Sequence, residues 1–218
     1  MSLVFPPLYA IIDAALLKTS ELSFAEMMAE SGVELLQYRN KHATSRELFD
    51  ASQSISAKLS RLARAGAYEP RFIVNDRADI ALLVKAKGVH VGQQDLSVED
   101  ARTLVGRSGW VGVSTHSLAQ LDAADETSAD YIAFGPIFAT TSKENPDPVV
   151  GLELLREARQ RTRKPLVAIG GITLERAADT FRAGADSLAV LRDLIVSEDP
   201  AARARLFLRE AARTRRKG

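Results

Sequence analysis

Apolar residues in this chain gather in eight short clusters, separated by polar stretches in which the apolar positions recur at helical spacing. The clusters are Leu8 to Ile12, Val33 to Tyr38, Phe72 to Val74, Gly88 to Val91, Trp110 to Val113, Tyr131 to Phe134, Pro165 to Ile169 and Ser187 to Val190. Short continuous runs rich in β-branched and aromatic residues predict strands buried on both faces. Between them a three-and-four apolar spacing predicts helices at Phe24–Ser31, Ser45–Arg64 and Arg77–Lys85, then from Ser97, at Ser117–Ala124, Leu152–Arg161 and Leu174–Ala183, and from Pro200 to about Thr214. The longest carries Leu48, Ile55, Leu59 and Leu62 on one stripe. Gly32 stands where a left-handed helix end is wanted, and Ser97, three residues before Asp100, is close to a capping box.

Eight strands alternating with helices over 218 residues predict a closed (β/α)8 TIM barrel, read as a single domain over 1–218. From about residue 213 the run ends in a basic tail, expected to be frayed and solvated. A doubly wound open sheet is the alternative, but the first strand-to-helix turn has no glycine-rich dinucleotide fingerprint. In a closed barrel the chemistry belongs at the C-terminal ends of the strands.

Polar clusters stand at those ends. Asn75-Asp76 follows the third strand and Gln93-Gln94-Asp95 the fourth. Neighbouring parallel strands lie roughly 5 Å apart, so Asp76 and Asp95 could hold one hard cation such as Mg²⁺. Equally, each could cap the helix that follows it. Gln37, Arg39 and Lys41 share one parity at the end of strand two, with Val33 and Leu35 continuing that face inward. Their charges suit a diphosphate held with Mg²⁺. After strand six, Gly135 to Lys143 brings hydroxyls, amides and one Lys, a set that suits phosphate oxygens. Gly170-Gly171 opens a helix after strand seven, where barrels often bind phosphate. Ser114 and His116 leave strand five; two apart on an extended segment they diverge, so Ser114 reads as a ligand contact rather than a nucleophile. His116 is as compatible with structure as with chemistry, and His90 and His42 read as packed or surface residues.

Composition narrows the classes. Lys plus Arg is 29 and Asp plus Glu 28, giving no electrostatic case for nucleic acid. No cysteine is present, which removes disulfides, thiolate metal sites and a Cys nucleophile and suits a reducing compartment. The first apolar run is too short to span a bilayer and carries Asp13. The expectation is a cytoplasmic protein without membrane partners. A homo-oligomer is compatible with the sequence, which does not set the assembly.

The motifs QYRNK, FIVNDRADIAL, KGVHVGQQD, GVSTHS, DYIAFGPIFATTSK, PLVAIGGI and AGADSLAV, in this order, resemble the thiamine-phosphate synthase family along nearly the whole chain. The resemblance implies a (β/α)8 barrel using Mg²⁺. Its reaction joins 4-amino-2-methyl-5-hydroxymethylpyrimidine diphosphate to 4-methyl-5-(2-phosphoethyl)thiazole and releases pyrophosphate. Carried over by motif, Gln37, Tyr38, Arg39, Asn40, Lys41, Asn75, Ser114 and Lys143 bind the pyrimidine diphosphate, and Asp76 and Asp95 ligate Mg²⁺. Thr140, Thr141, Ser142, Gly171, Leu191 and Arg192 face the thiazole phosphate. The resemblance further implies a dissociative displacement, with Arg39, Lys41, Lys143 and Ser114 at the reacting end and no protein nucleophile. Ser142 replaces the family's usual Thr, and Ala139 a common Pro. Arg192 stands where a small Ser is usual, and it could clasp the phosphate or swing out to Asp193 or Glu198. Two rival readings fit the same residues: a thiazole tautomerase-like relative using His116, and a non-catalytic phosphate-binding barrel.

Overall fold

The computed structural model describes residues 5–64, 70–140 and 147–215. Eight parallel strands close in chain order: β1 (Leu8–Asp13), β2 (Leu35–Arg39), β3 (Arg71–Asn75), β4 (Gly88–Val91), β5 (Trp110–Thr115), β6 (Tyr131–Phe134), β7 (Leu166–Ile169) and β8 (Ser187–Val190). β8 returns to β1 with Tyr9 opposite Ala189. The helices around them are α1 (Glu21–Glu30), α2 (Ser45–Arg64), α3 (Ala78–Leu83), α4 (Val98–Val105), α5 (Leu118–Asp125), α6 (Gly151–Arg161), α7 (Leu174–Arg182), α8 (Arg192–Ile195) and α9 (Pro200–Arg215). The predicted barrel is therefore observed.

Strand alternation splits the core into two layers. Tyr9, Ile11, Leu35, Ile73, Trp110, Tyr131, Ala133, Val167 and Ala189 fill the barrel interior, with Phe5 stacked on Trp110. Residues of the other parity, such as Ile12, Leu36, Val74 and Val89, pack outward against the helices. Tyr131 finds its room because β5 carries no side chain opposite it. A Cβ on Gly112 would lie 2.0 Å from the Tyr131 ring.

Local signals explain the helix starts. Ser20, Ser97 and Ser117 accept the N–H of the residue three positions on, relieving the unpaired donors of the first turn. Three readings are corrected. Val33 precedes β2 and packs with the outer layer, so the inward face begins at Leu35. Pro165 is not part of β7; it has no N–H to give a ladder. Arg213 is not in a frayed tail, since α9 runs on to Arg215 and Arg213 pairs with Glu210 at 2.6 Å; residues 216–218 lie outside the described residues. α8 was not anticipated. Among the described residues no helix is long and apolar enough to cross a membrane.

Candidate active site

A cavity of about 1060 Å³ opens at the C-terminal ends of the strands. It is larger than most single-ligand pockets. Residues of inward parity build its walls: Gln37, Arg39 and Asn75 from β2 and β3, Ser114 from β5, and Lys41, Asp76 and Asp95 from the following loops. Across the mouth lie Thr140, Gly170, Gly171, Leu191 and Arg192.

At one end two carboxylates face each other. Burial raises the pKa of Asp76, the Lys41 ammonium pulls it back, and the neighbouring Asp95 pushes it up again; the net shift is upward. Lys41 lies in direct contact with Asp76. Asp76 itself sits at φ +61°, a left-handed conformation that Asp tolerates better than most residues, and its N–H donates to the His90 carbonyl at 2.8 Å. Asp95 folds back to accept from Gly92 N–H at 2.8 Å. Neither acid therefore serves as a simple helix cap. Like-charged carboxylates disfavour joint ionisation, and a cation between them relieves the repulsion. The Lys41 ammonium is such a cation, and the donor set fits a hard divalent ion. No larger acid or histidine cluster occurs among the described residues, so such an ion would draw its other oxygens from water or substrate.

Arg39 sits beside this pair and is held by Asp13, whose carboxylate is almost fully buried and also accepts Ala15 N–H at 3.0 Å. Two members of the same run do not reach the cavity. Tyr38 has the opposite parity, lies buried against the outer layer, and donates its hydroxyl to Glu21 at 3.3 Å. Asn40 builds the turn, its Oδ1 accepting from His42 and Ala43 N–H at 3.2 and 3.1 Å. Assigning the whole stretch from Gln37 to Lys41 to a ligand overlooked the alternation that the strand imposes.

The opposite end is built from backbone. Gly170 and Gly171 take φ +95° and +61°, and a Cβ on Gly171 would come within 2.5 Å of the Ala139 carbonyl. The loops after β6 and β7 are laced together by Ile137 N–H to Ile169 O at 2.8 Å and Phe138 N–H to Gly170 O at 3.0 Å. Among the described residues nothing accepts from the N–H groups of Gly171, Ile172 and Thr173 ahead of α7. Unpaired amides at a helix start receive anions well. Arg192 lines the cavity here, while Asp193 is engaged by Arg203 at 2.8 and 3.0 Å and by Leu174 N–H at 3.1 Å. Thr141, Ser142 and Lys143 lie outside the described residues.

Some lining residues escaped the sequence reading. Arg176, in the first turn of α7, donates to Gly171 O at 2.7 Å and lies 4.5 Å from the Phe138 ring centre. Tyr9 and His90 form the cavity floor, with His90 Nε2 2.9 Å from Ser114 Oγ. Ser114 does meet a histidine, but from the adjacent strand. His116 Nδ1 donates to Gly135 O at 2.6 Å, and its Nε2 lies 3.5 Å from Asp147.

These features define a (β/α)8 barrel whose C-terminal face opens into a cavity lined by cationic side chains, paired carboxylates and backbone amides. Comparison with known proteins makes the class particular. Residues 8–194 match the family model for thiamine monophosphate synthase. A thiamine-phosphate synthase of Koribacter versatilis is 49% identical over 211 residues, covering 94% of this chain and 96% of that one. One from Chloroflexus aurantiacus is 43% identical, covering 91% and 89%. The solved thiamine phosphate pyrophosphorylase of Pyrococcus furiosus superposes with a TM-score of 0.83 at 30% identity, covering 95% and 96%. The chain belongs to the thiamine monophosphate synthase family.

Proposed function

We propose that this chain joins 4-amino-2-methyl-5-hydroxymethylpyrimidine diphosphate to 4-methyl-5-(2-phosphoethyl)thiazole, giving thiamine phosphate and pyrophosphate. The observation that carries the reading is the two-ended cavity. Acids and cations for a metal-held diphosphate stand at one end, and at the other Arg192 with amides that find no acceptor among the described residues, for a second phosphate.

The bond between the pyrimidine methylene carbon and the diphosphate oxygen breaks, and its electron pair leaves with pyrophosphate. The thiazole nitrogen supplies the pair for the new C–N bond. Nothing in this exchange calls for a protein nucleophile. Arg39 and Lys41, with Lys143 by the motif reading, receive the charge that grows on the leaving group. Asp76 and Asp95 are the residues to hold Mg²⁺, which when bound supplies Lewis-acid neutralisation of the diphosphate. Asp13 keeps the Arg39 guanidinium at the strand end. The Gly171–Thr173 amides and Arg192 fix the thiazole phosphate, so that its ring is presented to the pyrimidine rather than to water. The tautomerase rival rests on His116, which is tied to Gly135 and Asp147, whereas the paired acids that it leaves without a task suit the synthase.

The test is to mix both substrates with Mg²⁺ and look for thiamine phosphate by fluorescence after oxidation. Product that needs both substrates supports the reading; none under any metal condition overturns it.

A further inference from the structure

Beneath the cavity a single hydrogen-bonded chain crosses the barrel interior. Gln37 Nε2 donates to Tyr9 Oη at 2.6 Å; Tyr9 Oη meets Tyr131 Oη at 2.9 Å; Tyr131 Oη meets His90 Nδ1 at 3.1 Å; His90 Nε2 meets Ser114 Oγ at 2.9 Å. The two end groups, Gln37 and Ser114, line the cavity, as do Tyr9 and His90. Tyr131 does not: it is fully buried, stacked on His90 at 5.5 Å between ring centres and edge-on to Tyr9.

The hydrogens in this chain cannot be placed independently. Gln37 gives an N–H to Tyr9, so the Tyr9 hydrogen goes to Tyr131 and the Tyr131 hydrogen to His90 Nδ1. A neutral imidazole that accepts at Nδ1 carries its proton on Nε2, and it donates that proton to Ser114. Ser114 is then left with its own hydroxyl hydrogen to offer the cavity, and Gln37 with its carbonyl oxygen. Reversing any one bond requires reversing all four and turning the Gln37 amide, or stranding a buried hydroxyl hydrogen without an acceptor. Burial pushes both phenols above the ordinary tyrosine range, so both keep their protons. The Ser–His–Tyr order superficially resembles a nucleophile triad. A neutral phenol in the third place lacks the negative charge that stabilises an imidazolium, so the arrangement orients Ser114 rather than activating it.

We propose that Tyr131 is a positioning residue which, through His90 and Tyr9, sets the polarity of the cavity floor: a hydrogen-bond donor at Ser114 and an acceptor at Gln37. That floor selects a flat ring carrying an acceptor nitrogen beside an amino donor, and excludes the isostere with those two roles exchanged. The inference rests on the pyrimidine reading of this end of the cavity, and it adds a residue that touches no substrate.

The experiment has two arms. In the first, the His90 imidazole nitrogens of the free wild-type protein are read by ¹⁵N NMR, assigned by loss of the signals in His90→Asn. The expected state is neutral with the proton on Nε2. This arm needs no substrate, so it decides the relay even if the proposed reaction fails. In the second, Tyr131→Phe keeps the stacked ring and removes one hydroxyl. It should raise the KM for the pyrimidine diphosphate about tenfold, the scale of one hydrogen bond, with the KM for thiazole phosphate unchanged. The His90 signals should move toward a tautomer mixture. Tyr9→Phe, combined with Tyr131→Phe, should add little further loss because both break the same chain. A wild-type His90 protonated at Nδ1, or a Tyr131→Phe enzyme with wild-type pyrimidine KM, overturns the proposal. Should Tyr131→Phe not fold, the wild-type tautomer and Tyr9→Phe carry the same decision.

Discussion

The Asp13 carboxylate is the clearest place to test how the site is held. Its side chain is 3% exposed, and it pairs with Arg39, whose side chain is 25% exposed. Asp13→Asn keeps the shape and the bond from Ala15 N–H but removes the charge opposite the guanidinium. Breaking one partner of a fully buried pair costs about 3–5 kcal/mol. Water reaches a quarter of Arg39 and screens part of that, so a loss of about 2 kcal/mol is the expected scale. At about 2–4 °C per kcal/mol for a chain of this size, the melting temperature should fall by about 4–8 °C. Arg39, released from its tether, should also hold diphosphate less well and raise the pyrimidine KM. Thermal denaturation followed by circular dichroism, with steady-state kinetics on the same preparation, reads both. A melting temperature within about 1 °C of wild type, with unchanged KM, would mean that Asp13 does not hold Arg39.

Asp76→Asn or Asp95→Asn should slow turnover sharply and weaken its Mg²⁺ dependence while leaving the fold intact; wild-type rates in either variant remove the metal assignment. Arg192→Ser should raise the KM for thiazole phosphate about tenfold and leave the pyrimidine KM nearly unchanged. Unaltered thiazole kinetics would place the guanidinium outside the site. Tyr9 and Tyr131 are held above their ordinary range by burial, so their stabilising contribution is complete below about pH 10 and is lost as pH rises through their folded values. Phenolate absorbance should therefore lag behind free tyrosine until alkaline unfolding releases it. Titration of all four tyrosines near pH 10 in the folded protein would contradict this.

The barrel was legible because the strands are built on short apolar runs with little polar alternation, as a sheet covered on both faces allows. The strand-end acids and cations were legible for the same reason: once the run ends, polarity begins at once. What the sequence concealed depended on parity and on neighbours. Val33 looked like the start of an inward face, yet the strand begins at Leu35, and parity can be counted only from residues actually in the ladder. Tyr38 was carried along with its motif although alternation turns it outward. His90 read as a packed or surface residue between two valines, but Val89 and Val91 point to the helices, and that alone aims the imidazole inward. Tyr9 and Tyr131 stand inside apolar strand runs; their hydroxyls acquire meaning only when closure of the barrel brings the two oxygens, 122 residues apart in sequence, to 2.9 Å. Arg176 sits on an unremarkable helix turn until the loop after β6 lays Phe138 against it.

One cavity joining two phosphorylated rings and expelling pyrophosphate must yield two products in step. This coupling is tested most directly by measuring thiamine phosphate and pyrophosphate together, in one reaction, with each substrate and Mg²⁺ omitted in turn. The two products should appear in equal amounts, only when both substrates are present, and rate should be lost when Mg²⁺ is withdrawn. Pyrophosphate released without thiamine phosphate, or neither product from active, folded protein, would contradict it.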